Sequence, residues 1–265
     1  MKQLAIFRQR RTFGIQHRNE GFPAQAEHPL GIFQAFGNFR GFGRQVAGKA
    51  GAFSELRQKA AAAQTARREQ LSQTAAGLFS NQSIHPLVAA QQVVRAIGPD
   101  IAIVDEALVT TNHVRSFLDS SSVRQYSFLR GGALGWGMPA AVGFSLGLGR
   151  EPVVCLVGDG AAMYSPQALW TAVHENLPIT FIVMNNCEYN ILKQFMKSQQ
   201  HYHLTPKISS IAMDIVNPAI DFIALGQSMG VPAIRVACAG DIAAAVEAGI
   251  ASGKPNLIEI VIRDV

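Results

Sequence analysis

Cysteine is scarce in this chain, and what there is does not pair. Cys155, Cys187 and Cys238 lie far apart and are odd in number. That excludes a disulfide-stapled fold, and no zinc-type spacing is present. Reduced thiols in a cytoplasmic protein are the expectation. Charged residues are also few, at 15%, against 48% hydrophobic ones. This composition excludes a disordered chain and indicates a globular one. Acidic residues are nearly missing from the first 70 positions, which hold 4 Asp/Glu against 12 Lys/Arg, a net of +8. The remaining 195 hold 14 against 11, a net of −3. The overall charge of +5 therefore belongs to the N-terminal segment alone. A basic arm can bind nucleic acid. A solvated extension is the plainer expectation, and nucleic acid is not expected as a partner.

Long apolar runs are missing too. Residues 131–149 carry no charge and approach membrane-spanning length. Glycine dominates that stretch, however, and Pro139 interrupts it. Such clusters mark close backbone approach, so no membrane span is expected. No continuous apolar stretch precedes a small-residue cleavage site near residue 1, and a secretory leader is not expected either.

What is present falls into three parts. Residues 1–53 interleave phenylalanine, glycine and arginine, as in Phe39-Arg40-Gly41-Phe42-Gly43-Arg44, and sustain no helical or strand period. They read as an irregular basic extension. Residues 54–79, rich in Ala, Gln, Arg and Lys, read as a helical linker. Residues 80–265 alternate short apolar runs with helical patterns. A helix is expected to begin near Ser83 as its cap, with Pro86 in the first turn and Gly98-Pro99 ending it. Strands are expected at 101–104, 153–157, 179–184, 233–236 and 257–262. Helices are expected at 111–118, 139–148, 166–176, 189–197, 218–229 and 241–251. The strand runs do not alternate polar with apolar residues, as strands buried on both faces do not. The expected fold class is therefore α/β, a doubly wound parallel sheet with an irregular N-terminal extension.

In such sheets ligands bind at the carboxyl ends of strands. Two ends here carry polar residues suited to a metal and phosphates. The strand at 153–157 runs into Gly158-Asp159-Gly160, and the strand at 179–184 into Asn185-Asn186, with 24 residues between Gly160 and Asn185. That interval holds one helix and a return strand, so the two ends can be sheet neighbours. Asp159 offers an anionic oxygen and Asn186 a neutral one. The backbone carbonyl of Glu188 is a candidate third ligand. Mg²⁺ prefers such oxygens and is commonly shared with phosphates. Gly160 allows the chain to approach them. Gly-Asp-Gly alone is a common turn and Asn-Asn a common loop. The pair, each closing a buried strand at this separation, is the specific signal.

The segment from Gly158-Asp159-Gly160 to Asn185-Asn186 resembles the thiamine-diphosphate (ThDP) motif of the pyruvate decarboxylase, acetolactate synthase and benzoylformate decarboxylase superfamily. The similarity covers about residues 80–263, the family's pyrophosphate (PP) domain. Gly132-Ala133-Leu134-Gly135-Trp136-Gly137 looks like the segment that holds the pyrimidine end of the cofactor. By that resemblance Leu134 props ThDP in its bent form, and Gly132 offers its carbonyl to the 4′-amino group. Gly158, Asp159, Gly160, Ala161, Tyr189, Asn190 and Thr110 would contact the cofactor, and Thr111 is a further candidate. Asp159, Asn186 and Glu188 would hold Mg²⁺. Ile191 and Phe195 would line the substrate pocket, and His201 and His203 follow in a segment that could cover it. Ala161 stands where many relatives carry serine.

The resemblance implies a lyase or carboligase acting on a 2-oxo acid, in which the cofactor does the carbanion chemistry and the protein orients it. Relatives also have a pyrimidine-binding (PYR) domain, which supplies an activating glutamate. Nothing in residues 1–80 resembles it, and no catalytic residue can be assigned in this chain. A PYR-domain partner chain or a homo-oligomer is therefore expected. The alternatives are a truncated, non-catalytic ThDP-binding module and a nicotinamide oxidoreductase. Gly135-Trp136-Gly137-Met138-Pro139-Ala140 matches the dinucleotide fingerprint by letter, but Pro139 sits where its helix should open.

Overall fold

The computed structural model describes residues 50–118, 126–128, 130–198 and 212–263. The phenylalanine-rich segment through residue 49 lies outside them, as do His201 and His203. The described residues from 60 onward form one compact unit. The long helix α1 spans Ala50–Leu78. It begins four residues before the expected linker. Its polar sequence leaves residues 53–67 exposed all round. Only its last turns reach the core, through buried Ala75 and partly buried Leu71 and Leu78.

Helix α2 (Pro86–Ile97) is capped by His85 rather than by the expected Ser83. The His85 ring nitrogen Nδ1 accepts the N–H of Leu87 at 3.0 Å. Pro86 suits the first turn because its missing N–H would be unsatisfied there. Gly98 ends the helix at φ 73°, a conformation glycine adopts without steric cost. Leu87, Val88, Ala90, Val93 and Ile97 are buried.

Six strands follow: β1 (Ala102–Glu106), β2 (Tyr126–Phe128), β3 (Val153–Gly158), β4 (Ile179–Asn185), β5 (Ala233–Val236) and β6 (Asn256–Val261). They form one sheet in the order β2-β1-β3-β4-β6-β5, with every pair parallel. The interleaved helices are α3 (Val109–Phe117), α4 (Gly137–Gly147), the single turn α5 (Asp159–Ala162), α6 (Gln167–His174), α7 (Asn190–Ser198), α8 (Phe222–Ser228) and α9 (Ile242–Ala251). Successive strand residues point to opposite faces. Val154, Leu156, Ile182, Ile258 and Ile260 pack with α2, α3 and α9. Val153, Cys155, Val157, Phe181, Val183 and Leu257 pack with α4, α6 and α8. Both faces are buried, which is why no alternation shows in the sequence. Each fully buried Leu, Ile or Phe contributes about 1.5–3 kcal/mol, so these two clusters hold the layers together.

The α8 boundary moves inward from the expected residue 218. Asp221 caps α8, its carboxylate accepting the N–H groups of Ile223 and Ala224 at 3.1 Å each. The three-residue β2 was not expected at all. β1 extends two residues beyond the expected end, to Glu106. Because the chain leaves β1 toward β2 on one side and returns to β3 on the other, the winding reverses between β1 and β3. That reversal opens a crevice at their carboxyl ends.

Candidate active site

A cleft of about 570 Å³ occupies that crevice. Residues 107–110 follow β1 into it, 158–161 follow β3, and Asn186 and 188–192 follow β4. Gly132 and Leu134 close it from the segment before α4. Its size suits a cofactor.

Asp159 is the electrostatic centre. It is 4% exposed. Its Oδ1 accepts the N–H of Gly160 at 2.8 Å, while its Oδ2 is buried without any hydrogen-bond partner. Burial pushes its pKa up to about 6, opposed by the bonded N–H of Gly160 and by the N–H groups of Cys187, Glu188 and Asn186, which face the carboxylate without completing a hydrogen bond to Oδ2. A buried carboxylate oxygen with no partner is costly. A cation at Oδ2 removes that cost. Among the described residues no three His, Cys, Asp or Glu side chains cluster as a metal site. The protein oxygens present thus suit a cation that takes its other ligands from a bound diphosphate.

The β4 end is a tied loop. Asn186 Oδ1 accepts the N–H of Glu188 at 3.2 Å. The Cys187 carbonyl accepts the N–H of Ile215 at 2.7 Å, and the Tyr189 N–H reaches the Met213 carbonyl at 2.8 Å. The Glu188 carboxylate pairs with Lys193, so that side chain is engaged. Cys187 sits at φ 58° and Leu108, after β1, at φ 53°. Left-handed backbone at non-glycine residues is strained, and such residues collect at binding sites.

Gly132, Leu134, Thr110, Gly158, Asp159, Gly160, Ala161, Asn186, Glu188, Tyr189, Asn190 and Ile191 all line the one cleft. Phe195 does not, although it was expected there. It lies a turn further along α7 and is 56% exposed. Thr111 also turns away, its hydroxyl donating to Asp105 Oδ1 at 2.8 Å. Gly160 also has a close side-chain neighbour. A Cβ there would lie 2.5 Å from Cε1 of Tyr189, so the immediate neighbour that needs glycine is the tyrosine ring.

The residue that sequence reading missed is Glu106. It is 1% exposed at the end of β1. Its carboxylate accepts the N–H of Gly135 at 2.7 Å, of Trp136 at 3.4 Å and of Gly137 at 2.5 Å. Ser165 donates to the Gly135 carbonyl at 2.9 Å. The segment carrying Gly132 and Leu134 is therefore tied to β1 and to the chain just beyond α5. These contacts also explain the Gly-x-Gly letters. A Cβ at Gly135 would lie 2.7 Å from Tyr164 Cβ, and one at Gly137 would lie 2.8 Å from Glu106. The N–H groups that a dinucleotide's pyrophosphate would need are held by Glu106.

Residues 107–260 match the family described as thiamine pyrophosphate enzyme, C-terminal TPP binding domain. The chain belongs to that family. This TPP-binding domain is 36% identical over 177 residues to a Mycobacterium tuberculosis protein named as an acetolactate synthase large subunit, covering 66% of this chain and 34% of that one. It is 31% identical over 169 residues to benzoylformate decarboxylase of Pseudomonas aeruginosa, covering 63% and 30%. Among solved structures it resembles a thiamine diphosphate-dependent 4-hydroxybenzoylformate decarboxylase of Rhodococcus jostii. There the TM-score is 0.62 and the identity 32%, covering 70% of this chain and 34% of that one. The chain thus spans about a third of the length of these relatives. The parallel α/β sheet is the architecture of the TPP-binding domain in its structural relatives.

Proposed function

We propose that this TPP-binding domain holds ThDP together with Mg²⁺ and serves a 2-oxo acid decarboxylase or carboligase completed by a PYR-domain partner. The observation that carries the metal is the partnerless Asp159 Oδ2, buried beside Asn186 at the crevice between strand ends. Asp159, Asn186 and the Glu188 carbonyl would hold the cation. Gly158, Gly160, Ala161, Thr110, Tyr189 and Asn190 would contact the diphosphate. Leu134 would support the bent cofactor, and the Gly132 carbonyl would accept from its amino group. Bound ThDP would supply a carbon nucleophile for the 2-oxo acid. Ile191 would form an apolar wall of the substrate pocket. The names of the relatives, benzoylformate decarboxylase and acetolactate synthase, support this substrate class.

The need for a partner rests on two features. The carboxylates lining the cleft are Asp159 and Glu188, which are given over to the cation site and to Lys193. Glu106 is occupied by loop amides. No described glutamate is left to activate the aminopyrimidine. Leu134 and Tyr164, which line the cleft, are also exposed, at 36% and 59%. Apolar side chains of this size at a cleft margin suit burial against another chain. A cytoplasmic location is our inference from the free thiols.

That no described glutamate is free equally favours a second reading, a module that binds ThDP without catalysis. The deciding experiment measures CO₂ release from pyruvate and benzoylformate by the chain alone and mixed with an isolated PYR-domain chain. Turnover only in the mixture supports the first reading. ThDP binding without turnover in either condition supports the second.

A further inference from the structure

Glu259 is a charged residue in the middle of an apolar strand. Leu257, Ile258 and Ile260 beside it on β6 are buried, and Glu259 itself is 1% exposed. Taking a carboxylate out of water is costly unless it is well paired. Two groups pair it. Arg235 Nε on β5 donates to Oε2 at 2.7 Å, and Asn185 Nδ2 at the end of β4 donates to Oε1 at 2.7 Å. Asn185 is itself buried, at 6% exposure. Its Oδ1 in turn accepts the N–H of Cys187 at 2.9 Å and is 3.3 Å from the Cys187 sulfur.

The chemistry of this chain of contacts is directional. A carboxylate only accepts, so the Asn185 amide must turn its NH₂ toward Glu259. Its oxygen is then obliged to face the Cys187 N–H. That bond holds residue 187 in left-handed backbone at φ 58°. The residues on either side of this strained turn are Asn186 and Glu188.

We propose that Glu259 and Asn185 are positioning residues that set the cation affinity of the cofactor site by locking the 186–188 turn. The inference rests on the reading that Asn186 and the Glu188 carbonyl hold Mg²⁺. Neither positioning residue touches the cation. Partners one step behind a metal's ligands commonly change affinity by about 10–100-fold when lost.

The test is calorimetric titration of ThDP into the full chain across a series of Mg²⁺ concentrations. Wild type is compared with Glu259→Leu, Glu259→Gln and Asn185→Ala. Glu259→Leu should raise the Mg²⁺ concentration for half-maximal binding by about 10–100-fold. Saturating Mg²⁺ should restore ThDP affinity. Glu259→Gln keeps an acceptor for Asn185 and should stay within about threefold of wild type, a rescue that a purely structural role does not require. Asn185→Ala leaves the Arg235–Glu259 pair in place and carries the test if Glu259→Leu does not fold. It should match the leucine variant. A wild-type Mg²⁺ dependence in folded Asn185→Ala overturns the proposal, as does an equal loss at every Mg²⁺ concentration. Wild-type chain that binds no ThDP at any Mg²⁺ concentration overturns the underlying reading instead.

Discussion

The carboxylate of Glu106, at the end of β1, accepts the N–H of Gly137 at 2.5 Å, across 31 positions of sequence. With the second bond from Gly135, it fixes the segment that carries Gly132 and Leu134. Glu106→Gln leaves one donor facing another donor. The expected cost is about 1–3 kcal/mol of stability, the range for an unsatisfied buried group. ThDP affinity should fall with it, because the pyrimidine end loses its support. Affinity for magnesium pyrophosphate, which lacks that end, should not change. Calorimetry with both ligands checks the split.

Asp159 makes cofactor-free stability depend on pH. Its folded pKa of about 6 lies above the ordinary value of 3.8, because burial disfavours the charge. The stability it contributes is therefore present below pH about 4 and is lost as pH rises through 6. A rise of this size is worth about 3 kcal/mol. Asp159→Asn should remove this loss, making the cofactor-free variant more stable than wild type at pH 8 while weakening Mg²⁺-dependent ThDP binding. Burial also raises the Asp105 pKa, but Asp105 is common to both proteins and cancels in the comparison. Denaturant melts at pH 4, 6 and 8 test this.

Gly160 and Tyr189 are in contact through the space a Cβ would fill. Gly160→Ala should push the half-exposed ring aside without unfolding the chain. ThDP affinity should drop about tenfold, or 1.4 kcal/mol. Much of that effect should vanish in a Tyr189→Ala background, where there is no ring to displace. A double-mutant cycle on ThDP affinity measures the coupling.

Ala161 is buried and lines the cleft beside Asp159. Ala161→Ser adds a hydroxyl to the cleft wall. One added hydrogen bond to the diphosphate is worth about 1 kcal/mol, so ThDP should bind about fivefold tighter. The binding constant alone decides this.

Much of the site was legible because it sits where apolar runs stop. Val153–Val157 is a continuous hydrophobic stretch and Ile179–Met184 is broken only by Thr180, and Asp159 and Asn186 just beyond them line the cleft. Glu106 was hidden for the opposite reason. Asp105 and Glu106 look like the start of a loop, yet they complete β1 with their carboxylates buried and hydrogen-bonded. A polar strand end reads as a boundary unless its partners are known, and those of Glu106 are 29 to 31 residues away. Glu259 escaped notice similarly, because its partner Asn185 is 74 positions distant. The cap was misplaced because serine is the commoner capping residue, whereas here the His85 ring nitrogen accepts the N–H. Phe195 was assigned to the pocket by resemblance; it shares a helix face with Ile191 but lies one turn, about 6 Å, further along, beyond the residues that line the cleft.

The most direct test is calorimetric titration of ThDP into the purified chain, with and without Mg²⁺, beside Asp159→Ala. The predicted result is binding that requires Mg²⁺ and is lost in the variant. Equal binding with and without Mg²⁺, or binding that survives Asp159→Ala unchanged, would contradict a cation-bridged cofactor site at Asp159.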